Sequence, residues 1–353
     1  MRIEFPDEYL GKLWNEIDWK QAEENLAALQ RSLALAASSR DEKRIVELQK
    51  KIVRLNEAKW LAVRHVCGSN AGPGVDGEKW TTPEQKMKGA LSLTSDGYHA
   101  KPLRQIITHS RSTGKDRHIG VPTFYDRSMQ VLYSYSLAPV AEAMADRKSF
   151  AFRPGRSMQD VSAYILEALK GSDAPECIVV ADVKACYASI QHGWLLSNVP
   201  MDKKVLQEFL KCGHVFAGEL FPAGETGISL GANLSPLLGN LTLDGLQRYL
   251  YDHLYPNKDK IDYLDGNMIR WADDIFITVR TKKTGEKIMS LLAGFLEMRG
   301  LTLSRSKCKI VNIKDGVTFL SICRGGGTGK RRTGGDDSYP QEVPAETNQI
   351  PQQ

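Results

Sequence analysis

The sequence predicts an α+β protein in which short buried strands alternate with amphipathic helices. Apolar residues at helical spacing run through 20–66. Two β-branched segments, "ECIVVADV" and "MIRWADDIFITV", have the composition of buried strands. Clusters of Gly and Pro divide these segments. With 353 residues, the chain is long enough for two or three domains with sizeable cores.

The composition excludes several classes of protein. A hydrophobic fraction of 42% is ordinary for a globular chain, and no apolar run approaches the ~18 residues of a membrane span. The first residues carry acids early and predict no secretory signal. The six cysteines have no Cys-x-x-Cys pair, which argues against a zinc site or disulfide framework and fits a reducing cytoplasm. The net charge of +5 is unevenly distributed along the chain.

The N-terminal part predicts a pair of helices over 20–66. In the second helix the apolar residues follow three-and-four spacing between charged residues. These apolar residues are Ile45, Leu48, Ile52, Leu55, Ala62, Val63 and Val66. Gly and Pro in 68–77 end this helical region.

The next part predicts two basic elements. Within 101–127, two short apolar pieces flank "HSRSTGKDR", which predicts a hairpin with a basic tip. A helix is predicted over 128–145, followed by a basic Gly/Pro loop at 149–157 and a helix at 157–170.

The remaining part predicts most of the strands. A buried strand ends at Asp182, helical pieces follow to about 216, and a Gly-rich turn opens a long apolar helix within 227–246. A hairpin at 268–279 precedes a helix, and two short strands, "CKIVNI" and "VTFLSI", close the patterned region. The helix carries Ile288, Leu291, Leu292 and Phe295 on one face. From Gly325 onward the Gly-, Pro- and Gln-rich composition predicts disorder.

Asp273 and Asp274 stand side by side between the two β-branched halves of the hairpin. An acidic pair at a hairpin tip is compatible with a solvated turn. It is equally compatible with a Mg²⁺ site, because Mg²⁺ prefers carboxylate oxygens. Asp182 offers a third carboxylate if its strand lies beside the hairpin, although an Asp in this position also caps turns. Three carboxylates on two adjacent strands can hold two Mg²⁺ ions roughly 3.5–4 Å apart.

Several segments then match one family in order. They include "GPGVDGEKW", "KPLRQIITHSRSTGKDRHIGVPTFYDRSMQ", "FAFRPGRSMQD", "VADVKACYASIQHGWLL", "WADD", "RGLTLSRSKCKI" and "VTFLS". From about Trp14 to Ser321 the chain resembles bacterial reverse transcriptases of the group II intron lineage. "WADD" stands where that family carries Tyr-Ala-Asp-Asp.

The resemblance implies a right-hand polymerase with fingers and a palm, whose four-stranded antiparallel sheet is backed by helices. The corresponding domains are a helical N-terminal extension (1–80), fingers (81–175), a palm with the catalytic centre (176–324) and a disordered tail (325–353). Members of this family continue past Ser321 into a helical thumb and a maturase region, whereas here low-complexity sequence begins at Gly325, so we expect no full thumb.

The resemblance also assigns site residues. Asp182, Asp273 and Asp274 become the catalytic and metal-binding acids, with Asp274 the least direct. Tyr187 takes the place of the aromatic residue that selects dNTP over rNTP, although a core tyrosine on a helix is the alternative. The nucleotide-binding set is Arg111, Lys115, Arg117, Tyr187 and Leu230. Bidentate guanidinium contacts suit a triphosphate, whereas Lys115 is also compatible with a solvated basic loop.

Three further positions follow from the same resemblance. Lys307 matches a palm lysine that is a candidate for protonating pyrophosphate, and a surface lysine is the alternative. Arg153, Gly155 and Arg156 would contact template phosphates, because glycine permits close backbone approach.

Leu230 departs from the family, which usually has glutamine there, within Pro-Gln-Gly. An aliphatic residue at this position resembles diversity-generating and some domesticated bacterial enzymes. The departure puts ordinary fidelity in doubt and leaves the metal site intact.

The resemblance therefore predicts an RNA-directed DNA polymerase of group II intron type, located in the bacterial cytoplasm. Its cofactor would be two Mg²⁺ ions, with Mn²⁺ as a substitute. Its partners would be an RNA template, a DNA or RNA primer, dNTPs and a structured cognate RNA, with no membrane. The alternatives are a domesticated antiphage-defence enzyme working with a non-coding RNA, and a truncated, non-catalytic RNA-binding maturase remnant. A Mg²⁺ nuclease is disfavoured, since it would need no dNTP-site aromatic residue.

Overall fold

The computed structural model describes residues 5–109, 114, 116–170, 175–255, 267–315, 317–319 and 322–324. The predicted disordered tail, 325–353, lies outside the described residues. Within the described part, helices and strands alternate as predicted for a mixed fold. No helix in this part is long and apolar enough to cross a membrane.

Helices form the N-terminal part of the chain. They are α1 (Asp7–Asn15), α2 (Trp19–Ser38), α3 (Glu42–Arg54), α4 (Asn56–Gly68) and α5 (Pro83–Ser92). The carboxylates of Asp18 and Asp41 cap α2 and α3, because they accept hydrogen bonds from the backbone N–H groups of Gln21 and Arg44. The prediction of only two helices over 20–66 is wrong. The chain turns extended at Leu55, where φ is −65° and ψ is 126°, and this separates α3 from α4.

A four-stranded sheet follows. The predicted basic hairpin is present as β1 (Leu103–His109) and β2 (Asp116–Val121), which pair antiparallel. A second hairpin, β4 (His214–Phe216) with β5 (Glu219–Phe221), joins its edge, because β4 pairs parallel with β1. This second hairpin lies where helical pieces are predicted to run to 216, so that prediction is wrong over its last residues.

Eight further helices of the described part lie between the strands in sequence. They are α6 (Phe124–Met144), α7 (Met158–Ala168), α8 (Cys186–Ser189), α9 (His192–Asn198), α10 (Lys203–Lys211), α11 (Ser235–Leu243), α12 (Leu246–Leu254) and α13 (Lys282–Glu297). Ser157 and Asp160 form a capping box at the start of α7. The predicted long helix within 227–246 is shorter, because the chain breaks at Asp244 and Gly245 has φ +86°.

The central sheet is four-stranded and wholly antiparallel. Its order is β6 (Met268–Trp271), β7 (Asp274–Val279), β3 (Cys177–Asp182) and β8 (Lys309–Asn312). This confirms the predicted four-stranded antiparallel sheet. The last two strands, β9 (Val317–Phe319) and β10 (Ile322–Arg324), form a separate pair.

Both faces of the central sheet are buried. Val179 and Ile277 belong to the large core that includes the helices, whereas Ile178 and Phe276 belong to a second cluster on the opposite face. Successive residues of a strand point to opposite faces, so the run "CIVVAD" fits burial on both sides. The acids at the end of these strands are therefore carried by a rigid support.

Candidate active site

Three carboxylates lie at one end of the two inner strands of the central sheet, β3 and β7. Asp182, the last residue of β3, pairs in register with Asp274, the first residue of β7. Trp271 pairs with Asp274 across the hairpin, which leaves Ala272 and Asp273 as the turn. Ala272 has φ +52°, the left-handed conformation that tight hairpin turns require. The sheet register therefore brings together the three acids that the sequence singles out.

The three carboxylates interact electrostatically. Burial, followed by the charges of Asp273 and Asp182, raises the pKa of Asp274 to about 6. Burial and the charge of Asp182 also raise the pKa of Asp273. Lys307 Nζ donates to Asp182 Oδ2 at 2.7 Å, and this hydrogen bond raises the pKa of Lys307. The site therefore concentrates negative charge and already binds one positively charged side chain, that of Lys307.

These residues fit a divalent cation. Carboxylate oxygens are the ligands that Mg²⁺ prefers, and mutual repulsion among them is relieved when a cation binds. Lys307 shows where a positive charge is stabilised, although its side chain is 65% exposed and it lies on a flexible stem. In the part of the chain that the structure describes, no group of three or more His, Cys, Asp or Glu side chains already has metal-binding geometry.

A cavity of about 540 Å³ lies between the β1–β2 hairpin and helices α8 and α11. Arg117, Tyr187 and Leu230 all line it. The predicted nucleotide-binding residues Arg111 and Lys115 lie outside the described residues. The three acids do not line the cavity, but Tyr187 lies in α8, which follows Asp182 after a short turn. The structure thus gathers three predicted nucleotide-binding residues around one space.

The turn that carries Leu230 is held tightly against β2. Gly120 N donates to Leu230 O at 2.8 Å. Gly231 has φ +93°, and a Cβ added there would lie 2.5 Å from Ile119 Cγ2, so only glycine fits. The Leu230 side chain is 41% exposed and contributes an apolar wall to the cavity.

Comparison with known families identifies the chain. The model described as reverse transcriptase (RNA-dependent DNA polymerase) matches residues 106–323, and the N-terminal domain of reverse transcriptase matches 14–93. The chain belongs to the reverse transcriptase family.

Two relatives indicate the lineage of reverse transcriptases that this chain resembles. It is 27% identical over 336 residues to the protein YkfC of Escherichia coli K12, covering 84% of this chain and 87% of YkfC. It is 29% identical over 174 residues to the group II intron-encoded protein LtrA of Lactococcus lactis, covering 47% of this chain and 28% of LtrA. The chain therefore spans most of YkfC and less than a third of LtrA. These relatives confirm the resemblance to the group II intron lineage.

Solved structures that are similar to this chain include telomerase from Candida albicans in complex with the TWJ fragment of telomeric RNA. The TM-score is 0.48 at 15% identity, with 67% of this chain and 46% of that chain covered.

Arg153 of the reverse transcriptase is engaged inside the protein. Its guanidinium donates to Asp244, Glu142 and Ser149, and its side chain is only 3% exposed. Arg156 donates to Glu142 and to the Ser149 carbonyl oxygen. This geometry favours a structural role for Arg153, and its contact with template phosphate stays a prediction.

Gly155 and several basic residues of the hairpin region can also be placed. Gly155 has φ +68°, a conformation that favours glycine, and an added Cβ would meet nothing within 4 Å, so its contact with template phosphate stays a prediction. Arg104 Nε donates to Pro73 O at 2.8 Å, and Arg127 Nε donates to Pro122 O at 2.9 Å. Some of the predicted basic residues, Arg104 and Arg127, therefore hold loops of the reverse transcriptase through hydrogen bonds to backbone carbonyls.

Sequence reasoning missed the buried charged group beside the Ala272–Asp273 turn. Arg270 is fully buried and forms an ion pair with Asp244, which is itself buried. A signal was present: an arginine between Ile269 and Trp271 in a β-branched strand is exceptional, because a buried charge must be paired. The sequence pattern does not reveal which residue is the partner.

Proposed function

We propose that this reverse transcriptase copies RNA into DNA by two-metal nucleotidyl transfer at Asp182 and Asp273, with Asp274 supporting them. The observation that carries the proposal is the sheet register, which sets Asp182 beside Asp274 and next to the turn bearing Asp273. The raised pKa values of Asp273 and Asp274 support it, because crowded carboxylates favour a bound cation.

The acids would hold two Mg²⁺ ions, with Mn²⁺ as a substitute. When bound, such ions activate a primer 3′-hydroxyl and neutralise charge on the departing pyrophosphate. Lys307 carries a proton at Nζ beside Asp182 and would donate it to the departing pyrophosphate. The protein's contribution is then mainly positioning and charge.

The cavity beside the acids would receive the dNTP. Arg117 is exposed on β2 and would bind the triphosphate, for which a guanidinium is suited. Tyr187 would contact the sugar and exclude a 2′-hydroxyl. Leu230 would form an apolar contact near the base without donating a hydrogen bond.

The substrates would be an RNA template and a DNA or RNA primer, together with a structured cognate RNA. Similarity to the group II intron-encoded protein LtrA supports a role with a group II intron, which we propose is help in mobility and splicing. The proposed location is the cytoplasm of a bacterium. Leu230 favours a second candidate, a domesticated defence enzyme working with a non-coding RNA. Primer extension would separate either role from a non-catalytic RNA-binding remnant.

The test is primer extension on RNA with the variants Asp182→Asn and Asp273→Asn. Each substitution keeps the side-chain shape and removes one negative charge from the cation site. We expect a loss of roughly a thousandfold or more in rate, with the far-UV spectrum and RNA affinity retained. Asp252→Asn, which changes an exposed carboxylate on α12, is the control and should extend normally.

Near-normal extension by either active-site variant would refute the two-metal assignment. A wild-type protein that extends no primer, even with its native RNA supplied, would favour the non-catalytic RNA-binding alternative.

A further inference from the structure

A group of buried charges lies directly behind the catalytic turn. Arg270 on β6 is 0% exposed, and the side chains of Arg153 and Asp244 are 3% and 5% exposed. Burying charges in a protein costs free energy unless their hydrogen bonds are well satisfied. Such an arrangement needs a reason, because an apolar cluster of similar volume would fill the space without the free-energy cost of desolvating charges.

The guanidinium of Arg270 joins the group to the turn. Its Nη2 donates to Asp244 Oδ1, and its Nη1 donates to Asn240 Oδ1 at 3.1 Å. The same Nη1 donates to Ala272 O at 3.1 Å. Ala272 is the turn residue with φ +52°, and its carbonyl belongs to the peptide unit that leads into Asp273.

Arg153 binds the same carboxylate as Arg270, and we call this arrangement of Arg270, Asp244 and Arg153 the clamp. Its Nη2 reaches both oxygens of Asp244, at 2.7 and 2.6 Å, and its Nη1 reaches Glu142 Oε2 at 2.8 Å. Asp244 therefore lies between two arginines and fixes the plane of each. The backbone adds a further link, because Arg270 N donates to Lys148 O and Phe150 N donates to Arg270 O, both at 2.9 Å.

We propose that Arg270 is a positioning residue, clamped by Asp244 and Arg153, whose hydrogen bond to Ala272 O holds the turn in the conformation that presents Asp273 to a cation. This inference rests on the proposed function, in which Asp273 is a metal ligand. Alanine is uncommon in the left-handed region, because its Cβ crowds the carbonyl oxygen that follows it. The clamp supplies the contacts that keep it there before any cation binds.

A purely structural role makes a different prediction. If the buried charges only stabilise the fold, weakening them lowers the melting temperature and leaves cation affinity unchanged. If Arg270 positions the turn, weakening its contact shifts cation affinity in protein that is still folded. The dNTP cavity does not include Arg270, so the KM for dNTP should change little in either case.

The test is Arg270→Lys, because lysine keeps the charge opposite Asp244 but cannot reach Asp244, Asn240 and Ala272 O together. Mn²⁺ binding to RNA-free protein is measured by calorimetry, and primer extension is measured against Mg²⁺ concentration. We expect roughly fivefold weaker Mn²⁺ binding, the effect of losing one hydrogen bond, with activity partly restored at high Mg²⁺.

Arg299→Lys is the matched control. Arg299 is half-buried, whereas Arg270 is fully buried, and it donates to two backbone carbonyls away from the turn, Thr242 O and Phe295 O. It should lower the melting temperature without changing Mn²⁺ binding. An Arg270→Lys protein that is folded and binds Mn²⁺ like wild type would overturn the proposal.

Three further variants keep the result unambiguous. If Arg270→Lys does not fold, Arg153→Lys loosens the outer half of the clamp, and unchanged Mn²⁺ binding in that variant would overturn the proposal. Asp182→Asn and Asp273→Asn test the proposed function itself. If both bind Mn²⁺ like wild type, the metal site is misassigned, which is distinct from a failure of Arg270 to position it.

Discussion

At Asp274, burial and two neighbouring carboxylates raise the pKa to about 6 from an ordinary value of 3.8. Between these two pH values the native state holds a proton that the unfolded state has released. The free energy of unfolding therefore falls as pH rises through this window. Metal-free protein at neutral pH bears the full cost of the charged carboxylate.

Asp274→Asn should therefore raise the melting temperature of metal-free protein at pH 7.5 and leave it nearly unchanged at pH 4. Asparagine resembles the protonated carboxyl, so the gain appears only where the wild-type group is ionised. The measurement is a pair of thermal melts in EDTA, with Asp252→Asn as an exposed-carboxylate control. Equal gains at both pH values would show that charge repulsion is not the cause.

Tyr187 offers a second test at the residue scale. Its ring lines the cavity, and a Cβ added to Gly239 would meet that ring at 3.2 Å, which shows how closely the ring packs on α11. Tyr187→Ala should raise rNTP incorporation relative to dNTP, because the space opened can take a 2′-hydroxyl. Tyr187→Phe keeps the ring and should keep the selection.

The readout is the ratio of rNTP to dNTP incorporation in single-nucleotide extension. If Tyr187→Ala remains active with an unchanged ratio, Tyr187 belongs to the core and does not select the sugar.

Among the structural elements, the start of α6 depends on close contact with the segment before α5. Gly74 lies so close that an added Cβ would be 2.6 Å from Thr123 N and Cα. Thr123 is the residue whose hydroxyl caps α6, through a 3.0 Å hydrogen bond from Asp126 N. The glycine is thus required by a close backbone approach at a helix start.

Gly74→Ala should destabilise the protein by about 1–3 kcal/mol, the usual cost of overpacking. The control is Gly68→Ala at the end of α4, where an added Cβ meets nothing within 4 Å. Urea unfolding monitored by circular dichroism measures both. Equal stability of the two variants would mean that the segment can move away from Thr123 at little cost.

For the whole molecule, the distribution of exposed cations determines how it would bind RNA. Sequence analysis indicates two basic clusters, in 101–127 and 147–156. The structure divides each cluster, because Arg117 and Arg147 are exposed whereas Arg127 and Arg153 are buried. Only exposed cations can release counterions from RNA phosphates.

RNA affinity should fall steeply with salt, and Arg147→Gln should reduce the slope of log affinity against log salt by about 1. Arg127→Gln should lower the melting temperature and leave the slope unchanged, since its guanidinium contacts protein carbonyls. Filter binding at several salt concentrations measures the slopes. A flat salt profile for wild type would contradict an electrostatic RNA surface.

The sequence by itself determined the parts that local patterns encode. Alternating and continuous apolar runs place the strand that ends at Asp182 and the strand that begins at Asp274, and cap residues such as Ser157 mark a helix start. The basic hairpin is also local, since β1 and β2 are neighbours in sequence. These features depend on residues only a few positions apart, so one sequence is sufficient to predict them.

Tertiary structure decided what distant residues do to one another. The parallel pairing of β1 with β4 joins segments about a hundred residues apart and leaves no local pattern. The fate of each arginine depends on where its partner lies: Asp244 is 91 residues from Arg153 and 26 from Arg270. A charge is stable in a buried position only when such a partner reaches it, and that condition is met by the fold rather than by the neighbouring sequence.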